Sequence, residues 1–428
     1  MTASDGSTQA ALKVQELQRK LYRVAKAQPK RTFGILHDKV CSEMVVRTAF
    51  EQVRRNRGAA GVDGVTIESI EASGVERFLE ELREELRQET YRPMPVRRVY
   101  IPKADGKQRP LGIPRVKDRV VQAAVKLVIE PLFEASFRPN SFGFRPKRSA
   151  HDAIETIRRE VNRGKEDVID LDLKTYFDTI DQKLLMQLVR RRVRDPRVLR
   201  LIRLWLRAGV MEDGAWEDSD LGTPQGGVIS PLLANIYLHP LDLWWETKMQ
   251  GTTLVRYADD MVVLCPKGSA ERYMVELRRF LGRLKLLVNE EKTKLVSAWT
   301  GFDFLGVTFR KKLIPKRPSV AMCYAWPSRR SEQRLRDKVR TVVGSDLQSS
   351  LSEKIVRLNR VIRGWGVYFR LLNSARAFEK VDHYVWQKLT RWMRQKHHTR
   401  TRVIQGSPTT LYRRAGLVTL RGTVQYAR

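Results

Sequence analysis

The sequence predicts a mixed α/β fold on three observations. Apolar residues recur at three- and four-residue spacing in several long stretches. Short apolar runs of strand length lie between them. The 428 residues are 42% hydrophobic, with 9 Trp, 14 Phe and 12 Tyr to fill a core. Taken in order, residues 11–27 place Leu17, Leu21 and Val24 on one helical face with basic residues around the rest. This is a docking helix with a wet basic face or a helix that touches RNA, and the pattern leaves both open. Residues 54–67 carry three glycines and read as a loop, and 75–89 as a solvated, acidic helix. VRRVYIP (96–102), a turn-like KADGKQ and RPLGIP read as a hairpin, and 118–135 as a helix. VIDLDL (168–173) alternates apolar and acidic residues as a strand does, and two helical stretches follow, to residue 210. In 221–238 a glycine-rich turn precedes an apolar helix opened by Pro231. TLVRYADDMVVL (253–264) is two apolar runs broken by Ala258-Asp259-Asp260, a β-hairpin with carboxylates at its tip.

The charge narrows the function. Lys and Arg number 81 against 48 Asp and Glu, a formal net charge of +33. A field that large repels itself unless a polyanion neutralises it, which points to nucleic acid. The charge is not confined to one amphipathic helix, which disfavours a membrane-surface protein. No run of about 18 apolar residues marks a membrane span, and the N-terminus lacks a secretory pattern. Cys41, Cys265 and Cys323 form no CxxC pair, against a zinc site or a disulfide framework. From Arg310 to Arg428 there are 28 Lys and Arg against 6 Asp and Glu. The change in charge and pattern near 310–330, with Pro315, Pro318 and Pro327, suggests a domain boundary there.

Carboxylates carry the chemistry. Asp259 and Asp260 stand between apolar strands, where two ionised carboxylates need a cation. Basic side chains could supply it. A pair of divalent ions shared with a third carboxylate would also supply catalysis. Asp170 and Asp172 offer that third group, and Phe177 follows Asp172 by five residues. Gly222, Gly226 and Gly227 let backbone approach a flat ligand, and Gln225 offers an amide to a base or sugar edge. Each feature alone also fits an ordinary turn or loop–helix junction.

Together they carry a resemblance. Asp172 to Phe177, TPQGG at 223–227 and YADD at 257–260, in that order, resemble the palm of a reverse transcriptase. RGAAGVDG (57–64), YRPMPVRRVYIPK (91–103), RPLGIPRVKDRVVQ (109–122), SFGFRPKRSAHDAI (141–154), LVNEEKTKLV (287–296), FDFLGV (302–307) and RGWGVYFR (363–370) resemble further blocks. So does LQRKLYRVAKAQPKRTF (17–33). The chain is similar throughout to bacterial group II intron-encoded reverse transcriptase/maturases.

That resemblance implies an α+β right-hand polymerase followed by a helical thumb. It divides the chain into an N-terminal extension (1–48), fingers (49–167), a palm with an antiparallel sheet carrying YADD (168–312), a thumb or maturase domain (313–395) and a short basic tail (396–428), a candidate DNA-binding segment. It implies Asp172, Asp259 and Asp260 as catalytic metal ligands, with the Leu173 carbonyl as a further one, for two Mg²⁺ ions. It places Lys103 and Arg109 on the incoming triphosphate, Phe177 against a ribose 2′-hydroxyl and Gln225 in the nucleotide pocket. Asp170 is not carried over and reads as a supporting or salt-bridging carboxylate. Lys292 reads either as a phosphate contact or as a solvated lysine. In 353–370, Ile355, Leu358, Ile362 and Trp365 read as a core stripe, leaving Arg357, Arg360 and Arg363 to meet RNA. Trp386 and Trp392 read as core.

The implied function is RNA-directed DNA polymerisation, a nucleotidyl transfer, by a mobile-element protein that assists RNA splicing and retrotransposes by target-primed reverse transcription. Its implied partners are group II intron RNA, an RNA template with a DNA primer, a DNA target and dNTPs, with no membrane, in the bacterial cytoplasm near the nucleoid. Without an endonuclease segment the sequence resembles the group IIC-like branch. Two other readings stay in view: a domesticated reverse transcriptase of DNA repair or phage defence, and a splicing cofactor without synthesis. A ribozyme flanking the reading frame would separate the first from the intron-encoded role. Intact aspartates speak against the second.

Overall fold

The computed structural model describes residues 3–102, 108–212, 215–217, 226–396 and 415–425. The chain opens with helices α1 (Ala3–Ala27), α2 (His37–Val40), α3 (Glu43–Arg55), α4 (Ile67–Ser73) and α5 (Val75–Arg87). Strands β1 (Val96–Pro102) and β2 (Gln108–Ile113) lead to α6 (Val116–Glu134) and α7 (Ala150–Asn162). Then come β3 (Asp167–Leu171), α8 (Tyr176–Thr179), α9 (Gln182–Arg190), α10 (Pro196–Leu206), β4 (Val210–Glu212) and β5 (Ala215–Glu217). α11 (Ser230–Lys248), β6 (Thr253–Tyr257), β7 (Asp260–Cys265), α12 (Ala270–Arg283), β8 (Lys294–Ser297) and β9 (Phe302–Phe304) follow. The last elements are β10 (Val307–Ile314), β11 (Arg317–Pro327), α13 (Arg329–Val343), α14 (Leu351–Phe369) and α15 (Ala375–Lys396).

Three sheets form, ordered β2-β1-β4-β5, β6-β7-β3-β8 and β11-β10-β9. By compactness the chain falls into two units. The first holds residues 1–149, 171–263 and 271–294, and the second holds residues 150–170, 264–270 and 295–428.

In the first unit α6 is the central element. Val120, Val121, Ala124, Val125, Val128, Ile129 and Leu132 are all fully buried, as an apolar helix without a polar face requires. α1 and α3 pack on it. α1 buries Ala10, Val14, Leu21 and Ala25 and leaves its lysines and arginines outward, so the basic face is wet. A buried arginine fastens its C-terminal end: Arg192 donates to the carbonyls of Ala25 (2.9 Å), Pro29 (2.5 Å) and Leu132 (3.2 Å). Asp195 caps α10 through the amides of Arg197 and Val198 and also accepts from Leu36 (2.8 Å) and His37 (2.9 Å). Burial would raise its pKa, and the amides hold it below the ordinary value. The hairpin read at 96–113 is present, with Tyr100 opposite Pro110. The helix read to residue 210 stops at Leu206, because Val210 pairs with Val96 in parallel and begins β4.

In the second unit α7 packs on the β10–β11 hairpin, which includes Pro318 and Pro327 and turns at Pro315. α14 buries Ile355, Leu358 and Ile362 on one face, as the spacing predicts. Trp392 is buried, while Trp365 and Trp386 are half-buried, Trp365 against Phe369 and Phe378. Asp382 on α15 accepts from the amides of Leu420 (3.0 Å) and Arg421 (2.9 Å), which draws residues 415–425 back onto the helices. Leu420 fits over Gly366, where a Cβ would stand 2.4 Å from its side chain.

All three cysteines are free and buried. Burial pushes their thiols up, Cys41 to about 11 and Cys265 and Cys323 to about 12. Among the described residues no helix is long and apolar enough to cross a membrane.

Candidate active site

The site is assembled in the first unit from three segments. The first is the end of β3. The strand stops at Leu171, so Asp172 lies one residue past it rather than within it as the alternation suggested. Leu173 bridges to Val288, and Lys174 donates to the Leu287 carbonyl (2.9 Å). The NEEKTK turn then clasps Asp172. Asn289 donates its backbone amide to the Asp172 carbonyl (2.8 Å) and its side-chain amide to Oδ2 (2.9 Å). The Asp172 amide donates to Thr293 Oγ1 (3.3 Å). Lys292 places its ammonium 3.4 Å from the same Oδ2 while staying 60% exposed. Lys292 therefore faces the aspartate in this structure.

The second segment is the YADD hairpin. β6 ends at Tyr257 and β7 begins at Asp260, so Ala258 and Asp259 alone make the turn. Ala258 has φ = 60°, a left-handed conformation that a non-glycine residue adopts at a cost. Asp259 is half-buried and Asp260 exposed.

What holds that turn was not visible in the sequence. Arg256, fully buried on β6, uses all five guanidinium N–H groups. It donates to Asp242 Oδ1 (2.8 Å) and Oδ2 (2.5 Å), Asn235 Oδ1 (2.8 Å), Ser141 Oγ (2.7 Å) and the Ala258 carbonyl (2.9 Å). Burial works against its charge, and the Asp242 carboxylate, with Tyr176 and Asp259, nonetheless holds its pKa above the ordinary value. The SFGFRP segment forms the other wall. Asn140 and Phe142 pair through their backbones with Arg256 (2.9 and 2.8 Å). Gly143 lies so close to the turn that a Cβ there would stand 2.3 Å from the Ala258 nitrogen. Asn235 donates to the Gly143 carbonyl (2.9 Å), and Arg145 pairs with the half-buried Glu134 (2.6 Å). Close by, His239 carries no partner on Nδ1 and stacks edge-on to Phe137 at 5.4 Å. Burial pushes its pKa down to about 4.

The third segment holds Phe177, buried on the single turn α8 against Tyr176 at 5.3 Å. The Tyr176 hydroxyl donates to the Ala234 carbonyl (2.7 Å), which ties α8 to α11.

Lys103 and Gln225 lie outside the described residues, as does most of TPQGG, and Arg109 is described only as part of β2. Gly226 is described. It has φ = 114°, and a Cβ on it would meet the Gly112 carbonyl at 2.2 Å. The close approach that this glycine serves in the structure is to β2. In the second unit Arg357, Arg360 and Arg363 are exposed on α14. Among the described residues, no group of three or more His, Cys, Asp and Glu is arranged to hold a metal ion. The donor set offered by Asp172, Asp259 and Asp260 is all oxygen, which suits a hard divalent cation, and the Lys292 ammonium already provides positive charge at Asp172.

Comparison with known proteins identifies the family. Residues 101–309 match the family described as reverse transcriptase (RNA-dependent DNA polymerase), and residues 332–406 match the group II intron maturase-specific domain. Protein YkfC of Escherichia coli is 38% identical over 346 residues, covering 71% of this chain and 89% of YkfC. Group II intron-encoded protein LtrA of Lactococcus lactis is 36% identical over 258 residues, 58% of this chain but only 40% of LtrA. A telomerase from Candida albicans superposes with a TM-score of 0.40 at 14% identity, over 70% of this chain and 59% of the other, too loosely to bear on the argument.

Proposed function

The chain belongs to the family of group II intron-encoded reverse transcriptase/maturases, RNA-directed DNA polymerases with RNA partners, and from that premise we propose how its residues divide the work. Residues 1–48 act as the N-terminal extension, 49–167 as fingers, 168–312 as palm, 313–395 as thumb and 396–428 as a DNA-contacting tail. The reverse transcriptase family works with divalent metal ions, and two Mg²⁺ ions are proposed here. Asp172, Asp259, Asp260 and the Leu173 carbonyl would hold them. When bound, they would lower the pKa of the primer 3′-hydroxyl and neutralise the departing pyrophosphate. Asn289 and Thr293 hold Asp172 by its side chain and backbone, and the Arg256 network holds the Ala258 carbonyl of the turn that carries Asp259. Lys292, now on Asp172, is free to swing to a phosphate, because its side chain is mostly solvated. Lys103 and Arg109 would grip the triphosphate of a dNTP, Gln225 would line its pocket, and Phe177 would exclude a ribose 2′-hydroxyl. Arg357, Arg360 and Arg363 would contact intron RNA for splicing, and the cDNA would be primed at a DNA target near the nucleoid.

The observation that most supports this reading is the YADD turn, anchored by Arg256 and faced by Gly143 in the same unit as Asp172. The test is Asp259→Asn assayed beside Asp172→Asn on a DNA-primed RNA template. Both should lose cDNA synthesis and keep RNA affinity, since one charge is small against +33. Synthesis by both purified variants would refute the assignment.

A further inference from the structure

The first unit carries a second charged feature that the polymerase site does not use. Between α9 and α10 lies a groove of about 710 Å³. Lys183 and Arg190 line it from α9, Arg203 and Arg207 come from the end of α10, and Lys285 closes the rim. Lys183, Gln187 and Arg190 follow four- and three-residue spacing, so they share one helix face. Among the described residues the only carboxylate in the lining is Asp181, and it is occupied. It caps α9 through the Leu184 amide (2.7 Å) and pairs with Lys285 (2.6 Å). Lys183, Arg190, Arg203 and Arg207 make no ion pair with the described residues, although elsewhere in this unit arginines such as Arg47, Arg83 and Arg200 are paired. Four unneutralised cations along one concave surface ask for an anion with regularly spaced charges.

The chemistry of the lining selects among polyanions. Guanidinium groups bind phosphate through two parallel hydrogen bonds. An acidic peptide would also want apolar pockets or a free strand edge, and the groove offers only the buried Met186 and Leu206. Single-stranded RNA would want aromatic platforms for its bases, and none lines the groove. The groove in the second unit lined by Tyr324, Trp326, Lys312 and Arg376 differs on that point. Double-helical RNA hides its bases and is recognised through its backbone and shape. We propose that the α9–α10 groove binds the phosphate backbone of an RNA stem distinct from the template–primer. This rests on the RNA-partner reading above and locates one surface for it.

The test uses a fluorescent RNA hairpin with a blunt stem, which offers no recessed 3′ end to extend, and the full chain carrying Lys183→Gln, Arg190→Gln and Arg207→Gln. All three residues are exposed and unpaired, so the variant should fold. Wild-type protein saturated with DNA-primed RNA template should still bind the hairpin. The triple variant should bind it at least about tenfold more weakly at physiological salt. Its log–log salt slope should be shallower by about three, near one per lost phosphate contact. Single-nucleotide extension should be unchanged. Unchanged hairpin affinity and slope would overturn the proposal. So would a parallel loss of extension, which would mean that the groove holds template–primer. Tighter binding of a DNA hairpin of the same sequence, equally sensitive to the variant, would overturn it too. The Asp259→Asn protein serves as control. Hairpin binding that survives in it separates this question from the polymerase assignment.

Discussion

Arg256 is where the candidate site can be broken without touching a catalytic group. Arg256→Lys keeps the charge but replaces a planar fork of five donors by three donors on one nitrogen. The ammonium can reach Asp242 or the Ala258 carbonyl, but not Ser141, Asn235 and both Asp242 oxygens at once. Two or more buried polar atoms are left unmatched, at about 1–3 kcal/mol each. We expect a loss of roughly 3 kcal/mol, a large share of a marginal stability. Removing the guanidinium altogether, as Arg256→Met, strands the buried Asp242 carboxylate and should cost about 3–5 kcal/mol. The informative variant is Arg256→Met with Asp242→Leu. Apolar replacement of both partners removes the stranded carboxylate, so the double variant should be more stable than Arg256→Met but still below wild type, since Asn235, Ser141 and the Ala258 carbonyl stay unmatched at about 1–3 kcal/mol each. Activity should not return, because the Ala258 carbonyl and Ser141 remain unanchored. The assays are urea denaturation and single-nucleotide extension on a DNA-primed RNA template, with kcat separated from KM for the dNTP. A double variant that regains stability and full kcat together would refute the argument that the network positions the turn.

Three further outcomes are expected. Gly143→Ala forces a Cβ into the backbone of the YADD turn and should cost about 1–3 kcal/mol as overpacking does, with extension falling more than stability; normal extension would show that the turn has room. Phe177→Ala should raise rNTP incorporation relative to dNTP, and an unchanged ratio in an active enzyme would place the 2′-hydroxyl gate elsewhere. His239 is neutral in the fold down to about pH 4, whereas in the unfolded chain it protonates near 6.5. Stability is therefore whole above pH 6.5 and drains as pH falls toward 4, by on the order of 3 kcal/mol. His239→Gln should be less acid-sensitive than wild type by that amount, and parallel denaturation curves would refute it.

The elements that the sequence announced are those whose cause is local. β6 and β7 are apolar runs separated by a turn, and the stripe of α14 repeats every three or four residues; both are present as read. Errors arise where a distant partner decides. Residues 207–210 look helical, but pairing of Val210 with Val96 claims them for a strand. Asp172 alternates as a strand residue would, but Asn289 and Thr293 take its backbone groups just past the strand. Arg256 gave no signal, because its partners lie 14, 21 and 115 residues away and no spacing rule joins them. The SFGFRP segment is legible as part of a family pattern, but its physical task, a glycine beside the YADD turn and a serine on the buried arginine, needs the fold.

The three cysteines give this protein a set of built-in clocks. A thiol with a pKa of about 12 is ionised in roughly one molecule in ten thousand at pH 8, and burial also shuts out a reagent. An alkylating probe can therefore modify Cys41, Cys265 or Cys323 at speed only when the surrounding structure opens. Cys41 caps the C-terminal end of α2 in the first unit, and Cys323 sits on β11 in the second. Cys265 ends the strand that begins with Asp260. Labelling at Cys41 would time the opening of the first unit, and labelling at Cys265 and Cys323 would time that of the second at two different strands, in the unmodified chain.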